Sequence, residues 1–279
     1  MERKLTILMR ALLAVALVAI TLVLTYEFWR AGNGKSSLDV QEIRFAGVYQ
    51  PEGGSGWAVW TPEISLDNAR YPIVVLRGHF DKPIPENRKI YFYICHIGME
   101  LHQNGIKIGS LGTPLDLPPG TRTAGNGWFS LTSPGISTTD EITIILSCRS
   151  RSDMPGLYDY LLNEIHVGDA PQLFLKYFPT EGVLVMLGAV IVLLAAGLGA
   201  IWVILHLMKV PLKRAPLHLA LFTLSQGLWM MLFSGIVTLL IPYPIELSLI
   251  HSIVFALNDL LLLRYLLDFL CVRSRLFLL

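Results

Sequence analysis

Residues 182–208 read GVLVMLGAVIVLLAAGLGAIWVILHLM, a run without one charged side chain. As a helix with some tilt, such a run crosses roughly 30 Å of hydrocarbon. Two similar blocks follow at close range, at about 217–241 and about 245–270. Pro211 and Pro216 punctuate the first link, and Pro242-Tyr243-Pro244 makes the second. Neither link can hold a domain, so the three blocks are expected to form adjacent antiparallel membrane helices. A fourth apolar block, Leu5–Tyr26, opens the chain behind Glu2-Arg3-Lys4. It fits a cleaved signal peptide or a retained anchor. The residues after Leu24 lack the small-x-small pattern of a cleavage site, and Tyr26 and Trp29 fit interface anchors. Residues 1–30 are therefore expected to stay as a transmembrane anchor.

The composition agrees. Of 279 residues 53% are hydrophobic and 15% charged, against about a quarter charged in soluble domains. The apolar excess leaves an ordinary stretch over residues 31–178, the size of one globular domain. A net charge of +1, with no basic run interleaved with aromatics, gives no footing for nucleic acid. Three cysteines are too few for a disulfide scaffold. Cys95 and Cys148 fall in strand-like runs, where a single bridge and two free thiols both remain open. Cys271 is expected on the cytoplasmic side.

Lys/Arg counting sets the orientation. Arg3, Lys4 and Arg10 accompany the first block, Lys209, Lys213 and Arg214 lie between the second and third, and Arg273 and Arg275 follow the fourth. All fall on one side if the N-terminus is cytoplasmic, which puts residues 31–178 outside. The expected location is the plasma membrane, multi-pass. The segment Arg273–Leu279 reads as a charged loop entering another apolar stretch, so the chain is expected to stop within a larger architecture.

Between the membrane blocks the signals are those of β structure. Ile73–Phe80 is a strand before a turn at Asp81–Pro85. Ile90–Leu101 is aromatic and β-branched throughout, is broken by Gln103-Asn104-Gly105, and resumes at Ile106–Ile108. Trp128–Leu131, Ile142–Cys148 and Leu161–Val167 read as further strands, with no convincing helix between them. The expected fold class is α+β: an antiparallel β-sandwich or jelly roll flanked by one N-terminal and about three C-terminal membrane helices.

The run from Ile90 to Gly112, ending ELHQNGIKIGSLG, resembles the strand and hairpin of galactose-binding-like jelly rolls. Gly127-Trp128-Phe129, the Asp140–Arg149 strand and NEIHVGD at 163–169 follow in the order of those domains. With GLWMMLFSGIVTLLIPYPIELSLIHSIVFALNDLLLLRYLLDFL at 227–270, the layout resembles the sensor half of bacterial seven-transmembrane receptors with diverse intracellular signalling modules. Membrane-bound diguanylate cyclases and sensor histidine kinases are built on related plans. The resemblance implies an external domain that binds a small molecule or carbohydrate and a helix bundle that relays the event. Neither a Gly-Gly-Asp/Glu-Glu-Phe signature nor a kinase motif occurs in the 279 residues.

No nucleophile elbow, P-loop, dinucleotide fingerprint or zinc-spacing cluster appears, so no enzyme activity, metal or cofactor is expected. For a ligand, Trp57, Trp60 and Trp128 are the candidates to stack on a sugar ring, and Arg77, His96, Glu100 and Arg149 to bond its hydroxyls. A place in the core suits the tryptophans as well. Strand alternation puts His96 and Glu100 on one face, which suits a polar site and equally a solvated surface. Near the middle of the last block, Asp259 is a candidate for intramembrane coupling together with Arg264; pairing of Asp259 with a neighbouring helix, and of Arg264 with Asp268, is the plainer reading. The expected partners are the lipid bilayer, the ligand, and a signalling protein or second copy. A membrane scaffold or envelope-assembly protein whose domain binds another protein is the rival reading.

Overall fold

The computed structural model describes residues 40–270, except 69, 114–116, 118–122, 124, 149–155 and 212. The expected anchor at 1–30, the candidate Arg149, Cys271 and the basic residues after it lie outside the described residues.

Among the described residues, ten strands form two antiparallel sheets. The first is built from β1 (Gln41–Glu42), β10 (Ile165–Gly168), β5 (Lys89–Cys95) and β8 (Asn126–Thr132), in that order. The second runs β3 (Ala58–Trp60), β2 (Phe45–Pro51), β4 (Ile73–Phe80), β9 (Ile142–Ser147), β6 (Gly98–Gln103) and β7 (Ile106–Leu111). Alternation explains the layers. In β4, Val74, Leu76 and Phe80 are buried while Arg77 and His79 point outward, and in β9 Ile142, Ile144 and Leu146 are buried. They meet Ile90, Phe92 and Ile94 of β5 in one hydrophobic core shared by both sheets. The expected hairpin at Gln103-Asn104-Gly105 joins β6 to β7. Asn104 (φ 50°) and Gly105 (φ 82°) take the two left-handed positions that a tight two-residue turn requires.

Three expectations need correction. Ile90–Leu101 is not one strand. His96 adopts φ 56°, the chain turns there, and β5 and β6 enter different sheets. Second, Leu161–Val167 is half helix. A short helix α1 (Leu157–Asn163) precedes β10, and its buried Leu157, Tyr158, Leu161 and Leu162 follow helical rather than strand spacing. Third, the membrane block at 217–241 is broken. Helix α3 covers Ala215–Phe233, and a separate turn of helix, α4, covers Val237–Leu240. At the break, Gly235 lies against the Tyr93 ring, where a Cβ would stand 2.7 Å from a ring carbon.

The other helices are α2 (Ala170–Leu207) and α5 (Pro244–Phe269). Helices α2, α3 and α5 are each long and apolar enough to cross a membrane. The expected boundary at residue 178 falls inside α2, which starts one residue after β10 and carries Pro179 within it. At 1.5 Å per residue its 38 residues span about 57 Å, well beyond the roughly 30 Å of a bilayer core. The first turns of α2 therefore belong to the β-domain: Leu173, Phe174, Tyr177 and Phe178 pack with Tyr91, Tyr93 and Trp128 of the first sheet and with Ile236, Val237 and Leu239 around α4.

Candidate functional site

The sequence candidates separate into three places. Trp57 and Arg77 come together on the outward face of the six-stranded sheet. The Arg77 guanidinium lies 4.9 Å from the centre of the Trp57 ring, a cation–π contact that holds both side chains upright. They line an open cleft of about 640 Å³ with Val48, His79, Thr138, Thr139, Asp140 and Glu141. Trp57, the residue just before edge strand β3, keeps 41% of its surface exposed.

The opposite wall is clasped by the hairpin. Asp140 accepts hydrogen bonds from Gln103 Nε2 (2.8 Å), Asn104 Nδ2 (2.9 Å) and the Ser137 backbone N–H (2.7 Å). The Asn104 bond, then those from Ser137 and Gln103, holds this carboxyl below its ordinary range. Asn104 Oδ1 in turn accepts from the Glu141 backbone N–H at 2.9 Å. The wall that presents Thr138, Thr139 and Glu141 is thus fixed by the turn at Asn104-Gly105. The cleft offers one aromatic face, one guanidinium, an imidazole, two hydroxyls and carboxylate oxygens. That set suits a polar ring with several hydroxyl groups.

The remaining candidates of the β-domain do not join this cleft. Trp60 is core, 4% exposed and 6.0 Å from Phe45 between ring centres. Glu100 pairs along its own sheet with Lys107 (3.2 Å) and His102 (3.4 Å). His96 sits at the crossover between the sheets, its Nδ1 3.0 Å from Thr123 Oγ1. Burial, and then nearby His251, holds its imidazole below the usual value. His96 and Glu100 therefore share no face, because the alternation that pairs them ends at the turn. Among the described residues, no three His, Cys, Asp or Glu side chains gather as a metal-binding group. Cys95 and Cys148 are not joined in a disulfide bridge.

Trp128 lies in a second place, the seam between the four-stranded sheet and the helices. It is 3% exposed, with Tyr177 of α2 at 4.8 Å, Tyr93 at 5.2 Å and His166 of β10 at 5.6 Å between ring centres. His166 Nε2 lies 2.7 Å from the Tyr177 hydroxyl and 3.1 Å from Glu164 Oε2, and the same hydroxyl donates to Glu164. The His166 bond first, with support from Tyr177, holds the Glu164 carboxyl below its ordinary range. The Trp128 backbone N–H donates to Thr238 Oγ1 of α4 at 2.7 Å, and Lys176 of α2 reaches Glu42 of β1 at 2.5 Å. Strand, long helix and short helix are thus locked through one polar cluster inside an apolar shell. Sequence reasoning missed His166 and Tyr177; their separation of eleven residues across a strand-to-helix junction carries no periodic signal.

The third place is within the helices. Asn258 of α5 is buried and accepts from Ser225 of α3; nearer the end of α5, Asp268 takes His218 of α3 (2.5 Å) and Arg264 (4.0 Å). The plainer expectation for Arg264 and Asp268 is met. Asp259, however, is exposed and is not brought to Arg264.

No family model matches the chain, and no curated protein matches it. Among solved structures, the β-D-glucuronidase of Dictyoglomus thermophilum aligns with 39% of the chain at 13% identity and a TM-score of 0.25. The match spans 20% of that enzyme's length. A likeness of that size carries no argument about fold or activity.

Proposed function

We propose that the chain is a membrane-bound sensor whose β-domain, a galactose-binding-like jelly roll outside the cytoplasm, binds a small molecule or carbohydrate in the Trp57–Arg77 cleft. The basic clusters around the apolar blocks support that orientation. The observation that carries the reading is the seam. Trp128, His166 and Glu164 of the domain and Tyr177 and Thr238 of the helices form one packed, hydrogen-bonded unit. A shift of the sheet under ligand is therefore transmitted to α2 and α4, provided the ligand prefers one of two arrangements.

The test uses the full chain in lipid nanodiscs, titrated with a panel of neutral and acidic monosaccharides and read by tryptophan fluorescence. A saturable signal that weakens at least about tenfold in both Trp57→Ala and Arg77→Ala, with altered amide exchange at Tyr177 and Thr238, is the expected result. No saturable signal across the panel removes the carbohydrate reading. Binding without any change at the seam reduces the protein to a binding module. The rival scaffold reading draws on Val59 and Ile106, 66% and 71% exposed on edge strands β3 and β7, where a protein partner would add a strand.

A further inference from the structure

The polar groups of α5 are distributed unevenly around its axis. Leu247, Val254 and Asn258 are the buried positions and mark the stripe turned toward the bundle. Asn258 bonds to Ser225, and Asp268 holds His218 and Arg264. Asp259 lies one residue past Asn258, about 100° further round the helix. There it shares an outer face with Ser252, Phe255, Ala256, Leu263 and Leu266, all exposed. Among the described residues it has no hydrogen bond or ion pair.

Depth makes this placement informative. Asp259 is preceded by fifteen residues of α5 and followed by ten, so it stands about 22 Å from one helix end and 15 Å from the other. An aspartate has one methylene and cannot reach a membrane interface from there, as a lysine or arginine would by snorkelling. Lipid headgroups are out of reach for the same reason. Ionisable groups at such depth face a partner or a water-filled cavity, and Phe255, Leu263 and Leu266 make this face an exposed, largely apolar one of the kind that packs against a partner helix. A two-fold contact with a second copy would bring Asp259 against Asp259, two like groups at one point.

We propose that this face of α5 is the docking surface for a further transmembrane helix that presents a lysine or arginine at the depth of Asp259. Opposite charge selects the partner, and small Ser252 and Ala256 let its backbone approach. The proposal rests on α5 crossing the membrane and is independent of any ligand in the β-domain cleft.

The test reconstitutes the full chain, donor-labelled, in phosphatidylcholine vesicles with acceptor-labelled leucine helices of about 20 residues. One peptide carries a central lysine and the other none. The lysine helix is expected to associate roughly 3- to 20-fold more tightly than the all-leucine helix. Asp259→Leu removes that preference, and Asp259→Glu keeps it. Equal association of the two peptides, or a lysine preference that survives Asp259→Leu, overturns the proposal. So does self-association of the chain that Asp259→Leu abolishes, which would assign the face to a second copy.

Discussion

Replacing Thr238 by valine isolates the seam. The Thr238 hydroxyl is 5% exposed; it accepts from the Trp128 N–H at 2.7 Å and donates to the Gly235 carbonyl at 2.6 Å. Strand β8 is the edge of its sheet, so the Trp128 N–H has no strand neighbour on that side. Valine keeps the shape but leaves that buried N–H without an acceptor, at a cost of about 1–3 kcal/mol. Its methyl also needs more room than 2.7 Å from a nitrogen, which acts in the same direction. Local opening of the seam should rise roughly 5- to 150-fold, and hydrogen exchange at the Trp128 amide should accelerate by that factor. Thr238→Ser keeps the hydroxyl and should exchange near the wild-type rate. Unchanged exchange in Thr238→Val, or equal acceleration in Thr238→Ser, would refute the claim that this hydroxyl ties the edge strand to α4.

Acid should loosen the same seam. The Glu164 carboxyl is depressed in the folded protein, so its contribution is full above the ordinary glutamate value of 4.5 and is lost as pH falls through the lower folded value. Opening at the Trp128 amide in the wild type, read as exchange divided by the intrinsic amide rate at each pH, should therefore rise as the pH drops below about 4.5, and Glu164→Gln should flatten that dependence; parallel profiles would count against the assignment. In the shared core, Phe92 is 0% exposed, and Phe92→Ala should cost about 3–5 kcal/mol, read as a lower urea midpoint of the full chain in detergent. A loss below about 1 kcal/mol would show that the two sheets do not depend on this contact.

Much of this architecture was legible because periodicity was strong. Ile73–Phe80 is β-branched at its start and the strand matches those bounds; Asn104-Gly105 names its own turn; the uncharged run at 182–208 falls in α2 up to its last residue, Met208, which caps the helix. The misses have physical causes. Lys89–Cys95 shows no polar alternation because its second face, Tyr91 and Tyr93, meets the helices instead of water. That same apolar surplus hid the crossover, since His96 is a single polar residue between two apolar runs and carries no Gly, Pro or Asn turn signal. The break at Ser234-Gly235 follows from a tertiary contact with Tyr93, which hydropathy cannot register. In the cleft, Trp57 and Arg77 were readable as types. His79 was available from the alternation of β4, whereas Asp140 joins through a clasp from a hairpin some thirty-six residues away.

The cleft and the seam lie on opposite outer faces of the domain, so any coupling between them must pass through the core. Arg77 of β4 lines the cleft; its neighbour Leu76 packs in the core with Phe92; and Phe92 alternates with Tyr91 and Tyr93, which touch the helices. A core at crystal-like density transmits displacement instead of absorbing it. The seam is where such a displacement would be resolved into one of two arrangements. Buried there, Trp128 Nε1 and His166 Nδ1 have no hydrogen-bond partner among the described residues, while Glu164, the Tyr177 hydroxyl and His166 Nε2 bond to one another. A small rotation of α2 against β10 would trade existing bonds of the cluster for new ones at the unpaired atoms. Because only Asp169 separates β10 from α2, no loop lies between them to absorb such a rotation, and the proposed relay would run directly into the membrane-length helix.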